Sequence, residues 1–448
     1  MPLTAERLYK ANEQYASELS KALTATSSSG AALQPEDLEP ALVEELFRLQ
    51  PLLALMPIKQ ATARVHEIAR RTAHGKARFE GELVDDRAGA VSSTFDRPTV
   101  TLKVLHHWGA VSGFQQAASR RFIDSLVAEQ QGGIEAMSNQ FEFGLLWGHT
   151  VDPYLFGGFD QLVVTNLINH NGVVSLTLLD DIIDAATGFR GADRDPAIFI
   201  ASKKMISKIT GLQGLARIPV ETVEFQVPGF EGGLRMTSYR GYPLLETDYV
   251  RPVAQAPGNF AGAPATGGSL TAGAYRYQIA SVRENGEQRA ATEITVTTSA
   301  GNLIAALTWD EDADAILYKI FRSNAAGGAG TAYLLTTIAA RNRDSSGKPT
   351  TAVVAFNDDG TVTRPAGAAS ERMLGAGDEN IFFTNLNPDR GSSLVGLLNP
   401  LGQPVTNLVQ FIPLATTRES FDFMLSSFAA LQVPWENLHA HARRVRIS

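Results

Sequence analysis

Few residue combinations in the chain have the types and spacing that catalysis or metal binding needs. His66-Glu67 opens like the HExxH signature of a zinc protease, but Arg70 stands where the second histidine belongs. Gly347-Lys348 has the last residues of a phosphate-binding loop, yet Pro349 follows and the upstream glycine is missing. No GxSxG elbow and no GxGxxG dinucleotide turn occurs. Asp310-Glu-Asp-Ala-Asp314 starts like a calcium loop, but Ala315 replaces the turn glycine and Phe321 stands at the bidentate glutamate position. An acidic, solvated turn is expected there.

The remaining candidates are weaker. Asp180, Asp181 and Asp184 put two carboxylates on one helical face, and they read as first-turn residues placed where the helix dipole favours negative charge. His439 and His441 share one side of any strand through them, but no third ligand accompanies them. Arg443, Arg444 and Arg446 form a small basic tail, expected to be a solvated terminus. His106-His107-Trp108 belongs to a strand leading towards a long helix, with core or interface as its default role. No catalytic, cofactor-binding or metal-binding residue is assigned, and the chain reads as a non-enzyme that needs no cofactor.

Composition narrows the classes further. Among 448 residues, 39 Lys and Arg oppose 47 Asp and Glu, a net charge of −8. That balance argues against a dedicated nucleic-acid binder or a binder of anionic membranes. Cysteine is absent, which excludes disulfides, thiolate metal sites and cysteine nucleophiles together. The N-terminal segment lacks the apolar core of a secretory signal, and no apolar run approaches the roughly 20 residues that span a bilayer. A soluble chain that stays where it is made is expected.

The elements that must position these residues fall into distinct blocks. Residues up to about 71 are helical in pattern, with Leu42, Leu46 and Leu49 forming one stripe before Pro51. From Gly75 to Lys103 the pattern is two strand-like arms around Asp85-Asp-Arg-Ala-Gly-Ala, charged throughout and poor in apolar residues. Such a hairpin does not stand alone. It is either a surface hairpin packed on its own domain or an arm lying on a neighbouring subunit. On the second reading Lys76, Arg78, Glu80, Glu82, Asp85, Asp86 and Arg87 are candidate intersubunit contacts. Apolar residues at helical spacing then predict a helix over 118–147, with a bend at Gly132-Gly133.

Residues 160–250 alternate strands and helices. Leu162 to Thr165 reads as a strand, Asp180 as the cap of a helix, Ala197 to Ala201 as a buried strand, and Ser202 as the cap of a second helix ending at Gly211. At Pro252 the composition shifts. Ala254 to Gly268 is nearly all Ala, Gly and Pro and reads as a linker, and a second loose stretch runs from Asp358 to Gly377. Between them lie strand patterns only, with a core expected around Tyr277, Leu307, Trp309 and Tyr318. This predicts an independent β-sandwich inserted into the surrounding domain, facing outward and dispensable for the rest.

The order of parts, from helical arm through charged loop and long helix to α/β unit and returning strands, resembles the major capsid protein of tailed double-stranded DNA bacteriophages, the Hong Kong 97 fold. The closing stretch from Phe421-Asp-Phe-Met-Leu to Leu431-Gln-Val-Pro-Trp is similar to that family's last strands. The resemblance implies an α+β fold with an N-terminal arm at 1–74, an extended loop at 75–103 and a peripheral domain with its spine helix at 104–159. An axial domain at 160–251 and return strands of both domains at 378–448 complete it. The segment 252–377 is similar to immunoglobulin or fibronectin type III domains in Tyr275-Arg-Tyr-Gln-Ile, Asn285-Gly-Glu and Tyr318-Lys-Ile-Phe-Arg-Ser, without the antibody cysteine pair. Some capsid families cross-link a loop lysine to a neighbour's asparagine. Lys76 lies only at the base of this loop and no motif fixes an asparagine, so the cross-link is not carried over.

The resemblance implies a virion protein, made in the host cytoplasm, that assembles with itself into hexamers and pentamers around double-stranded DNA. Scaffolding, portal and decoration proteins are its implied partners, with no membrane and no sequence-specific DNA contact. Two other readings stand beside it: a secreted or surface carbohydrate-binding protein using the sandwich, and another phage structural part such as a tail or baseplate protein.

Overall fold

The computed structural model describes residues 51–77, 79, 92–119, 124–187, 195–225, 234–362, 371–397, 409–414 and 419–447. The first 50 residues of the segment expected to be helical up to about residue 71, and much of the charged loop, lie outside these residues. The described remainder has one short helix, Pro51–Leu55, and then strands, Ile58–Gln60, Val65–Glu67 and Arg70–Ala73, where helix was expected.

The longest helix runs Ser125–Trp147. It starts seven residues later than apolar spacing suggests, because the Asp124 carboxylate accepts from the Leu126 and Val127 amides and caps it there. A separate short helix, Gly113–Ser119, precedes it. The helix is continuous through Gly132-Gly133. Gly133 has a packing reason. A Cβ there would lie 2.6 Å from the His107 ring and 2.9 Å from Leu425, where the helix crosses a sheet. The last turns, with Phe141, Phe143, Leu145, Leu146 and Trp147, are buried all round. Among them Glu142 accepts from the amides of Leu52 (3.3 Å) and Leu53 (2.9 Å), tying down the short helix Pro51–Leu55. Burial pushes its carboxyl up to about 8, against those two hydrogen bonds and one from Thr247.

The crossed sheet is built on the strand Ser420–Gln432. Along one edge it pairs antiparallel with Lys103–Ser112, from Ser420↔Ser112 to Ala429↔Lys103. Along the other it pairs with Val409–Pro413 and Ser393–Gly396, and Ile58–Gln60 runs parallel to the latter.

A second, seven-stranded sheet has the order Leu167–Val173, Ala440–Arg446, Asp378–Asn385, Ala197–Ala201, Tyr242–Glu246, Leu234–Tyr239, Thr222–Phe225. Two helices, Leu176–Thr187 and Lys203–Leu215, cover it through Leu178, Ile182, Met205 and Ile209. Ala197–Ala201 is buried at every position and Ser202 caps the following helix, both as the sequence suggests. Three local expectations change. Leu162 ends a helical turn, Phe159–Leu162, and the strand begins at Leu167. The helix expected to start at Asp180 starts at Leu176, because Ser175 Oγ accepts from the Leu178 amide. The helix after Ser202 continues past Gly211 to Leu215.

Residues 261–358 form two larger antiparallel sheets and a two-stranded one, Arg341–Arg343 with Pro349–Ala352. Ala261–Ala265, Ile304–Thr308 and Ala355–Asp358 make one. Gly273–Arg283, with Gly286–Glu287, Ile294–Thr298, Ala315–Arg322 and Tyr333–Ala339, makes the other. Tyr277, Ile279, Leu307, Trp309, Tyr318 and Ile320 meet in one buried cluster drawn from both. Ala261–Ala265 lies within the stretch read as a linker. Its small residues permit close approach, since a Cβ on Gly262 would lie 2.8 Å from Val296 and 2.9 Å from Leu307. The strand Ala315–Arg322 is buried on both faces. Tyr318 and Ile320 face this cluster, whereas Leu317 joins Val282, Phe141, Trp147 and Phe382 in the main core.

Candidate functional site

Three features could carry function: a two-stranded ribbon, an uncovered sheet face, and a buried cluster of charges. The ribbon pairs Val65–Glu67 with Thr99–Thr101 and Arg70–Ala73 with Thr94–Asp96, so strand pairing begins ten residues before Gly75. None of these strand residues is fully buried. Arg70 anchors the base. Its guanidinium donates to Asp96 Oδ2 (2.7 and 3.0 Å) and to the Pro434 carbonyl (2.6 Å), and lies 5.1 Å from the Trp435 ring. These hydrogen bonds hold the Asp96 carboxyl below its ordinary value. Farther out, Phe95 is 63% exposed, with Arg71 stacked over it. Lys76 is exposed. Arg78, Glu80, Glu82, Asp85, Asp86 and Arg87 lie outside the described residues.

The sheet on Ser420–Gln432 presents one face to the long helix, through His107, Phe423 and Leu425. Alternation sends Val104, His106, Trp108 and Ala110 to the opposite face. There Trp108 pairs across to Met424 and Met424 to Ile412, and Val104 pairs to Phe428. Trp108 is 64% and Val104 49% exposed, so an apolar row crosses three strands with none of the described residues covering it.

The buried cluster was not foreseen. Lys319 Nζ donates to Asp160 (2.6 Å), Glu371 (2.8 Å) and Glu287 (2.9 Å), using all three of its hydrogens. It also lies 5.5 Å from the Trp147 ring. Arg443, fully buried, forks onto both Glu287 oxygens (2.6 and 2.7 Å) and reaches Glu371 (3.0 Å), Asp160 (3.1 Å) and the Arg372 carbonyl (3.3 Å). Burial disfavours both cations, but the surrounding carboxylates outweigh it and raise their proton affinity. Breaking such a buried set by removing one member costs about 3–5 kcal/mol. The three carboxylates have the spacing of a metal site. The Lys319 ammonium occupies the position an ion would take, so the residues do not fit a metal.

Arg443 therefore overturns the expectation of a solvated tail. Arg446 pairs with Asp378 (2.9 Å) and Arg444 reaches the same carboxylate (3.5 Å). The sequence did hold a signal: Lys319 interrupts the apolar run Ile316 to Phe321. Nothing nearby in sequence marks Asp160, Glu287 or Glu371.

The other candidates have structural duties. His441 stacks on Phe382 at 4.0 Å, and His439 Nδ1 lies 3.0 Å from the Thr384 hydroxyl. Burial holds both rings neutral, His439 down to about 3. Asp180 accepts from the Tyr239 hydroxyl (2.6 Å) and Arg240 (2.9 Å). Asp310 accepts from Asn259 (2.6 Å), and Asp312 pairs with Arg283 (2.9 Å). His66 lies in the ribbon.

No protein-family model and no curated protein matches the chain. Among solved structures, the holo-SrpI encapsulin complex from Synechococcus elongatus PCC 7942 aligns with a TM-score of 0.52 at 11% identity, over 95% of this chain and 98% of that one. The capsid of a native GTA particle aligns at 0.47 and 10% identity, over 94% and 99% of the two chains. The Cyanophage A-1(L) capsid asymmetric unit aligns at 0.47 and 9%, over 94% and 98%. The chain has the α+β, Hong Kong 97-type capsid fold.

Proposed function

We propose that the chain is a major capsid protein that assembles with its own copies into the hexamers and pentamers of an icosahedral shell around a phage double-stranded DNA genome. The observation that carries this reading is the ribbon Val65–Ala73/Thr94–Thr101, a two-stranded projection with no core of its own on a capsid fold. Such a ribbon gains stability by lying on another surface. In a closed shell every copy offers the same surface, so modest contacts recur and act together. Lys76, Arg78, Glu80, Glu82, Asp85, Asp86 and Arg87, which lie between the two ribbon strands in sequence, are the proposed contact residues.

On this reading residues 1–74 are the arm, 75–103 the loop, 104–159 the peripheral domain, 160–251 the axial domain, 252–377 the insert and 378–448 the return. Scaffolding, portal and decoration proteins are its partners, and the host cytoplasm is the place of assembly. Expression with and without a scaffold, followed by sedimentation and electron microscopy, tests the proposal. Shells or capsomers support it, and a monodisperse 48.2 kDa monomer at high concentration refutes it.

The alignment to an encapsulin favours a second reading, a protein compartment of the same fold. Nuclease-treated particles separate the two: protected genome-length DNA belongs to the capsid, and enclosed protein without DNA to the compartment.

A further inference from the structure

The charge cluster joins parts of the chain that lie far apart in sequence. Lys319 and Glu287 lie on strands of the two-sheet segment, and Glu371 lies on the stretch leading out of it. Asp160 sits on the helical turn Phe159–Leu162, and Arg443 on the strand Ala440–Arg446 inside the seven-stranded sheet. Of the acceptors around Arg443, only Asp160 lies outside residues 252–377. Without that segment a buried guanidinium would keep one partner of four.

Apolar contacts run the same way. Val282 and Leu317 belong to the main core beside Phe141, Trp147 and Phe382. Gly286, at φ 101°, packs so tightly that a Cβ would lie 2.3 Å from the Tyr249 carbonyl oxygen.

We infer that the two-sheet segment is locked to the subunit body by the Lys319–Arg443 charge cluster, and that the strand Ala440–Arg446 docks stably only when that segment is folded. The segment is thus a condition for closing the subunit, in place of the detachable module that its flanking composition suggests. The lock is independent of whether the protein forms a capsid, since it concerns one chain and its readouts need no shell.

The test is a double-mutant cycle across the boundary, in the full-length chain, with Lys319→Met on the segment and Asp160→Asn on the body. Hydrogen exchange is followed in peptides spanning 315–322 and 440–446. Lys319→Met should raise exchange in both peptides at least tenfold, and Asp160→Asn in the same chain should recover part of that loss. A Lys319→Met effect confined to 315–322, or strictly additive effects of the two substitutions, overturns the inference. Should Lys319→Met fail to fold, Glu371→Gln, which keeps shape and removes one charge, replaces it. Protection of 440–446 should then fall, and unchanged protection in that peptide overturns the lock equally.

Discussion

Two adjacent glycines in the long helix allow packing to be separated from helix propensity. Gly132 and Gly133 share one backbone context, so replacing either by Ala brings the same intrinsic gain of about 1 kcal/mol. Their surroundings differ. A Cβ on Gly132 meets nothing within 4 Å, whereas one on Gly133 lies 2.6 and 2.9 Å from the His107 ring and 2.9 Å from Leu425. Leu425 is 2% exposed and has little open space to retreat into, and the half-buried His107 ring must shift as well. Overpacking of this kind costs about 1–3 kcal/mol. Gly132→Ala should therefore stabilise by about 1 kcal/mol, and Gly133→Ala should range from neutral to about 2 kcal/mol destabilising. Urea denaturation of the dilute, unassembled subunit measures both, with unchanged m-values confirming that the same surface is exposed. The informative quantity is the gap between the variants, which should be about 1–3 kcal/mol. Equal midpoints would refute the claim that the helix crosses the sheet at Gly133.

Four further outcomes are expected. Trp108→Gln should leave subunit stability within about 0.5 kcal/mol, because the ring is exposed, and should reduce assembly yield by particle counting; unchanged yield removes that face from the assembly surface. Burial holds His149 and His439 in their neutral forms down to about 4 and about 3, below the unfolded value near 6.5, so their contribution is complete above 6.5 and is lost as pH falls towards those values. Stability should drop by about 2 kcal/mol per histidine between pH 6.5 and 5, and His439→Asn should flatten that slope in denaturant titrations. Glu142 behaves oppositely, with a folded value of about 8 above an unfolded 4.5, so stability should decline as pH rises through that window and Glu142→Gln should remove the decline. Gly262→Ala should lower the urea midpoint by the equivalent of about 1–3 kcal/mol, since the new methyl meets Val296 and Leu307; an unchanged midpoint would restore the linker reading of Ala254 to Gly268.

Local patterns carried much of the fold. Ala197 to Ala201 is apolar throughout because it is buried on both faces, and Ser202 supplies the oxygen that a helix start needs. Tyr277, Leu307, Trp309 and Tyr318, expected to form a core from the strand patterns, are buried together. Errors arose where composition stood in for contact. Alanine and glycine at 261–265 signalled flexibility, although their small size permits close strand packing. Arginines at 443–446 signalled solvent, although their partners arrive from Asp160, Glu287, Glu371 and Asp378. Pairings across such separations leave no local trace in a single sequence. Of the charged loop only the ends are described: the strands that pair with 94–101 are Val65–Glu67 and Arg70–Ala73, upstream of the arm expected from Arg78, and Phe95 is exposed.

The two strands that follow residue 419 are interior strands of their sheets. Ser420–Gln432 has neighbours along both edges, and Ala440–Arg446 lies between Leu167–Val173 and Asp378–Asn385. While these residues are still inside the ribosome, the emerged chain has two gaps where central strands belong. Two of their pairing partners, Lys103–Ser112 and Leu167–Val173, lie hundreds of residues upstream, a long-range closure that is slow and leaves strand edges open meanwhile. Until Ser420–Gln432 and Ala440–Arg446 are placed, neither sheet is continuous, so both faces of the subunit depend on these two pairings.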